Sequence, residues 1–287
     1  MDNKPFFSDA AFWERAWQEA RQSSLYSRRL PGRDGPPFWD RRAASFAEHS
    51  QSEEGQCRVA GILHLIGHHA NLSREAEVLD IGCGPGNLAL PLARRVKRVV
   101  ALDPSEEMLN ILRRRMAAEG VDNIEPVRLT WEEVDLEALG WHRRFDLVLA
   151  LMTPGIHDAI TLKKMLAAAK GSCLLGGHLR QEEPARQELW RELVGGEMPP
   201  IPPDVLYIFH LLYAWGYYPS LEMERRESEQ EVSLDRMTAE LENFFYPYLE
   251  ITPAVRRTIA GYLEARSSKG IYRRRREFVA AYVSWSV

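Results

Sequence analysis

The residues best suited to chemistry gather first in one short stretch. Gly82, Gly84 and Gly86 fall within Val78-Leu79-Asp80-Ile81-Gly82-Cys83-Gly84-Pro85-Gly86-Asn87, between an apolar run and a helical pattern. Glycine in such a turn lets backbone approach a ligand and permits positive φ. The loop N–H groups and the helix N-terminus that follows favour partial negative charge on that ligand. Asp103 ends the next apolar run, about 20 residues on, where a carboxylate can accept both hydroxyls of a ribose. Turn and acid together read as a site for a nucleotide-like molecule.

Two side chains choose between ligands. A dinucleotide turn, G-x-G-x-x-G, needs glycine at position 87, where this chain has Asn87. Asp80 precedes the first glycine; a carboxylate there would repel a pyrophosphate but can hold an amino group, directly or through water. S-adenosylmethionine (SAM) carries that amino group and no phosphate, so the turn can be tight and contain Pro85. VLDIGCGPGNLALPLA followed by VVALDPSEEML resembles the first two motifs of class I SAM-dependent methyltransferases, closely over residues 77–110 and more loosely to about 156. The resemblance implies SAM as cofactor and methyl transfer as the activity. It implies that Gly82, Gly84 and Gly86 border the methionine part, with Cys83 and Asn87 in the same turn. It sets Asp103 at the ribose and Pro104 and Ser105 near the adenine. The family usually has an acid at the end of the third strand; this chain has Thr130-Trp131-Glu132, where Trp131 could stack on the adenine beside Glu132.

Methyl transfer is an in-line displacement at a carbon already activated by the sulfonium. The protein must align the nucleophile, exclude water and, for some acceptors, take a proton. Open α/β sheets bind ligands beyond the C-terminal ends of their strands. The fourth strand ends in Ala150-Leu151-Met152-Thr153-Pro154-Gly155-Ile156-His157. Met152 counts with the cofactor-binding residues, and His157 is the candidate general base, with a helix-start role as the plainer alternative. His178, after the fifth strand, is a second candidate base. The Asn/Asp-Pro-Pro-Tyr/Phe tetrad common in amino-methylating relatives is absent, which argues against DNA-adenine and glutamine-amide chemistry. By the same resemblance Trp39, in Phe38-Trp39-Asp40-Arg41-Arg42, covers the cofactor. Tyr207, Tyr213, Tyr217 and Tyr218 surround an apolar segment and could line an acceptor pocket or pack in the core. Arg273–Arg276, with Arg28-Arg29 and Arg41-Arg42, could form an RNA groove; a solvated sheet edge is the alternative.

The elements that must hold these residues alternate. Apolar runs at 77–81, 98–102, 124–129, 145–151 and 172–177 read as strands; 87–95, 105–119 and 158–169 between them read as helices, the second capped by Ser105 and stopped at Gly120. Repeated β-α-β units imply a parallel sheet covered on both faces. Later segments at 220–227 and 276–285 read as strands of the same sheet, one antiparallel, which agrees with the seven strands and antiparallel last strand of the family. The expected fold is therefore a three-layer, Rossmann-like, mostly parallel seven-stranded sheet. A helical arm or lid precedes it over residues 1–50, and the domain of residues 51–287 carries a helical insertion at about 183–220. A net charge of −4 gives no global field to attract nucleic acid. The charged N-terminus has no apolar signal core, no apolar stretch is long enough to span a membrane, and three scattered cysteines fit a reducing cytoplasm. No His/Cys/carboxylate group has metal spacing. The leading expectation is methyl transfer to a small-molecule acceptor in an enclosed pocket. An RNA or protein methyltransferase and a non-catalytic SAM-binding protein are the alternatives.

Overall fold

A computed structural model describes residues 6–33 and 35–287, so that residues 1–5 and 34 of the expected arm lie outside it. The arm holds α1 (Ala10–Gln22), α2 (Pro36–Asp40) and α3 (Ala43–Gln51), and α4 (Glu53–His69) leads into the sheet. There follow β1 (Glu77–Ile81), α5 (Ala89–Ala93), β2 (Arg98–Leu102), α6 (Glu106–Glu119) and β3 (Ile124–Val127). Next come β4 (Phe145–Leu151), α7 (Ala159–Ala168), β5 (Ala169–Glu182), α8 (Pro184–Leu193) and α9 (Asp204–Ala214). The chain continues through β6 (Ser220–Ser233), α10 (Leu234–Phe245), α11 (Pro253–Glu264), a two-residue β7 (Ser267–Ser268) and β8 (Ile271–Ser286).

The sheet order is β3-β2-β1-β4-β5-β8-β6, with β7 paired only to β8. Strands β1 to β5 pair in parallel; β8 runs antiparallel to both β5 and β6. Seven strands with one reversed is the expected architecture. Period-2 alternation sorts the side chains to two faces. Leu79, Val100, Val148 and Val283 enter one core with Trp17, Leu162 and Ile208 from α1, α7 and α9. Val78, Val99, Leu147 and Tyr282 enter the other with Ile62, Leu90 and Leu112 from α4, α5 and α6.

The late strands are longer than their apolar runs. β5, β6 and β8 continue into Arg- and Glu-rich sequence, and their far ends carry a third core built from α8, α10 and α11 around Trp190, Leu241, Phe245 and Leu263. Over Arg273–Arg276 β8 pairs with β6 alone, because its ladder with β5 ends at Glu277, and Arg273 and Arg275 are exposed. Arg273 and Arg275 both pair with Glu229 across the ladder, while Arg274 is buried between Glu183 and Glu240. Arg273, Arg274 and Arg275 are taken up by these acids, whereas Arg276 has no ion-pair partner among the described residues and lines a cavity together with Arg42.

The apolar α9 lines none of the described cavities. It is buried between α1 and the sheet, its Asp204 accepting from Trp17 Nε1 at 2.6 Å and from Arg21 Nη1 in an ion pair at 2.5 Å. Tyr207 and Tyr217 pack against that core, and Tyr213 and Tyr218 are exposed. None of the four borders a described cavity.

Candidate active site

The glycine turn leaves β1 at the C-terminal edge of the sheet. Gly82, Gly84 and Gly86 have φ of +72°, +54° and +82°. Two of them also answer a close approach. A Cβ on Gly82 would collide with the Thr153 side chain from the β4 loop, and one on Gly86 would collide with Leu112 of α6. Gly86 therefore packs the turn against a helix and does not itself border the cavity, contrary to its expected place at the methionine part. Gly82, Cys83, Gly84, Pro85 and Asn87 do border it.

Asp103 supports the turn from β2. Its Oδ2 accepts from Gly84 N and its Oδ1 from Ser105 N, each at 2.9 Å. Each oxygen keeps a lone pair for a further donor. Burial raises the Asp103 pKa above the usual carboxylate range, against the pull of these two hydrogen bonds. Asp80 differs. It is 3% exposed, borders the cavity, and receives no hydrogen bond among the described residues. Burial, helped by the charge of Asp103, pushes its pKa up to about 7. The same burial, with both acids nearby, keeps the Cys83 thiol protonated. A buried carboxylate with no donor calls for a cation or a strong donor from outside the chain.

The cavity around these groups has a volume of about 580 Å³, within the range of small-molecule sites. Its walls include Asp103, Pro104, Glu132, Met152 and His157, and the arm closes it with Gly35, Pro36, Trp39 and Phe46. The arm is fastened there by Ser105, whose Oγ donates to Asp40 Oδ1 at 2.6 Å while capping α6 through Met108 N. Ser105 is fully buried and does not reach the cavity, so its place is that of an anchor rather than a ligand for adenine. Trp131 borders the cavity but is 2% exposed, with its Nε1 donating to the Thr161 carbonyl at 3.0 Å. Its indole is part of the wall and not a free stacking surface. Asn87 Oδ1 accepts from Arg115 at 2.9 Å, which holds the turn to α6.

Met152 stands at φ +54° directly after β4, a strained conformation for a non-glycine residue, fixed by donation from its N–H to Gly176 O at 2.8 Å. His157 lies on the same rim as Glu132. Its Nδ1 is 3.2 Å from Pro154 O and 3.4 Å from Glu132 Oε1, and its Nε2 is 3.9 Å from Asp158 Oδ2. His178 falls inside β5, in a different cavity. Arg29 and Arg58, which border the cofactor cavity from the arm and α4, were not singled out as cofactor residues. Their signal is the enclosure itself, invisible in local spacing. Among the described residues no group of three or more His, Cys, Asp or Glu could hold a metal ion.

A family model for a methyltransferase domain matches residues 78–177, from β1 into β5. That span contains Asp80, the glycine turn, Asp103 and the β4 loop. Over residues 78–177 the chain therefore matches a methyltransferase domain. An uncharacterized protein of Haemophilus influenzae is 28% identical over 200 residues, 67% of this chain and 68% of that one. A tRNA/tmRNA (uracil-C(5))-methyltransferase of Stutzerimonas stutzeri is 43% identical over 67 residues, which cover 23% of this chain and 18% of that protein. Among solved structures, coclaurine N-methyltransferase bound to N-methylheliamine and S-adenosylhomocysteine superposes with a TM-score of 0.51 at 14% identity, covering 99% of this chain and 90% of that one. That likeness is one of fold. The unpartnered Asp80 carboxylate, beside a turn with no room for a Cβ at Gly82, fits the amino group of SAM. No described helix is long and apolar enough to cross a membrane.

Proposed function

We propose that this methyltransferase acts on a small molecule, held in a second cavity of about 1320 Å³ that adjoins the cofactor cavity. The observation carrying this reading is the junction: Phe46 and Arg58 line both cavities. The larger one is walled by the arm, the extended ends of β5, β6 and β8, and α8, so an acceptor there is enclosed by the chain's own segments. Bound SAM supplies a methyl group on a sulfonium, which leaves as a neutral thioether when the acceptor's lone pair takes the methyl carbon. In this reading Asp80 holds the amino group, Asp103 accepts the ribose hydroxyls, and Pro104, Glu132, Met152 and Trp39 enclose the rest. Residues 1–50 act as the lid. His157 borders the cofactor cavity alone and serves there by holding the Glu132 rim; an acceptor with a free lone pair needs no base.

The short tRNA-modifying match favours an RNA acceptor, but three of the arginines that would grip RNA, Arg273, Arg274 and Arg275, are paired with Glu229, Glu183 and Glu240. The test incubates the full chain with methyl-labelled SAM and three separate fractions: metabolites below about 1 kDa, total RNA, and protein. Label is expected in the metabolite fraction. Label in RNA or protein alone would overturn the reading.

A further inference from the structure

The larger cavity has a floor of guanidinium groups. Seven arginines and seven glutamates line the whole cavity, and at the floor two of the carboxylates, Glu183 and Glu240, are each shared between two arginines. Glu183 accepts from Arg274 Nε at 2.8 Å and Nη2 at 3.1 Å, and lies 2.8 Å from Arg186 Nε. Glu240 is 2.5 Å from Arg274 Nη1 and 3.4 Å from Arg236 Nε. These acids are used up by the arginines that surround them. Arg42 and Arg276 line the same cavity, and neither has a carboxylate within ion-pair distance among the described residues. Arg276 donates from Nη2 to the Gln230 carbonyl at 3.1 Å, and its buried Nε has no partner. His178, on the same cavity wall, is half-buried with a buried, unpartnered Nδ1.

The electrostatics agree with the geometry. Burial, and then Arg58 and Arg186, lower the His178 pKa to about 4, so the ring is neutral and its Nδ1 can donate or accept. Burial, and then Arg186, lower the Arg42 pKa to about 10. Arg276 is lowered by burial, Arg274 and Arg186, against the opposing pull of Glu183 and Glu54. A purely structural ion network would leave its cations paired. Here two half-buried guanidiniums, Arg42 and Arg276, have no ion-pair partner among the described residues, in a wall of the cavity that meets the cofactor site.

We propose that this floor binds an anionic group of the methyl acceptor, a carboxylate or a phosphate, with Arg42 and Arg276 as its charged contacts and His178 as a neutral hydrogen-bonding partner. The planar guanidinium fork suits either anion. The inference rests on the reading of this cavity as the acceptor site. The acceptor's charged end then lies at the floor and its nucleophile at the Phe46–Arg58 junction.

The test is calorimetric titration of inorganic phosphate and, separately, of succinate into the full chain at low salt, with and without saturating S-adenosylhomocysteine. Wild type is expected to bind at least one of the two anions, and the tighter of them names the chemistry. Arg276→Gln and Arg42→Gln should each weaken that binding at least tenfold, while S-adenosylhomocysteine affinity stays within twofold. Arg276→Lys keeps the charge, loses the fork, and should fall between; it also guards against misfolding of the Gln variants. Arg273→Gln, on the exposed side of the same strand and paired with Glu229, should bind as wild type does. Absence of anion binding in wild type would overturn the proposal, as would equal weakening by Arg273→Gln. Loss of S-adenosylhomocysteine binding in wild type would instead sink the cofactor reading, since the anion titration without it still reports on the floor.

Discussion

If Asp80 holds the amino group of the cofactor as proposed, cofactor affinity should depend on pH. With its pKa at about 7, pushed there first by burial and then by Asp103, the carboxyl is largely neutral at pH 6 and largely ionised at pH 8. The ammonium of S-adenosylhomocysteine needs the ionised form, so binding below pH 7 requires a proton to leave. Affinity should then fall about tenfold from pH 8 to pH 6, or ~1.4 kcal/mol, and approach one decade per pH unit below that. Above about pH 8 the ligand's own α-amino group loses its proton and affinity falls again. The effect on ligand-free stability has the opposite sense. An acid whose folded pKa lies above its unfolded value of 3.8 favours the native state at low pH, so this contribution is lost as pH rises through about 4 to 7. The assay is calorimetry of S-adenosylhomocysteine at constant ionic strength from pH 5.5 to 8, in two buffers of different ionisation enthalpy, so that released protons are counted. Asp80→Asn should abolish the slope and bind at pH 8 with an affinity near that of wild type at its acidic limit. Asp103→Asn weakens binding but should keep a slope. A flat profile in wild type, or a slope that survives in Asp80→Asn, would refute the reasoning.

Three further outcomes are expected. Asp103→Ala removes the acceptor for Gly84 N and the proposed acceptor for the ribose, and should weaken S-adenosylhomocysteine by ~1–3 kcal/mol in the same calorimeter. Gly86→Ala combines a positive φ with a collision against Leu112, so urea unfolding should show a loss of about 2–4 kcal/mol; a neutral result would mean the turn relaxes freely. His157→Gln should leave kcat within about threefold and change mainly the KM for SAM. A ~100-fold fall in kcat at unchanged cofactor affinity would give it the general-base role instead.

The parts of this protein that were legible in its sequence are those fixed by neighbours in the chain. The Ser105 cap and the Gly120 stop of α6 stand where the sequence sets them, Ser105 Oγ accepting from Met108 N and Gly120 at φ +64°. The glycine turn and the two acids were equally local. Which way a residue faces was not. Gly86 is turned to Leu112, Ser105 to Asp40 and Trp131 to Thr161 by packing between segments 26 to 65 residues apart, which no spacing rule records. The long ends of β5, β6 and β8 were missed for the same reason. Their arginines and glutamates look solvated in isolation and become a ladder only when Glu229 meets Arg273 and Arg275 across β6 and β8. The floor of the larger cavity is a product of that ladder and could not be seen before it.

The sheet order also dictates a sequence of events in time. Strands β1 to β5 can assemble among themselves, each against a neighbour already synthesised. β6 cannot, because among the strands it pairs with β8 alone, and β8 is made last. Until then a 14-residue strand leaves the ribosome with no partner along either edge. Its charged sequence, Glu224-Arg225-Arg226-Glu227-Ser228-Glu229-Gln230-Glu231, suits that interval, since charge opposes pairing with other nascent chains. Pulse-labelled amides of residues 77–102 should accordingly gain protection before those of residues 220–233, and simultaneous protection would show that β8 docks without delay.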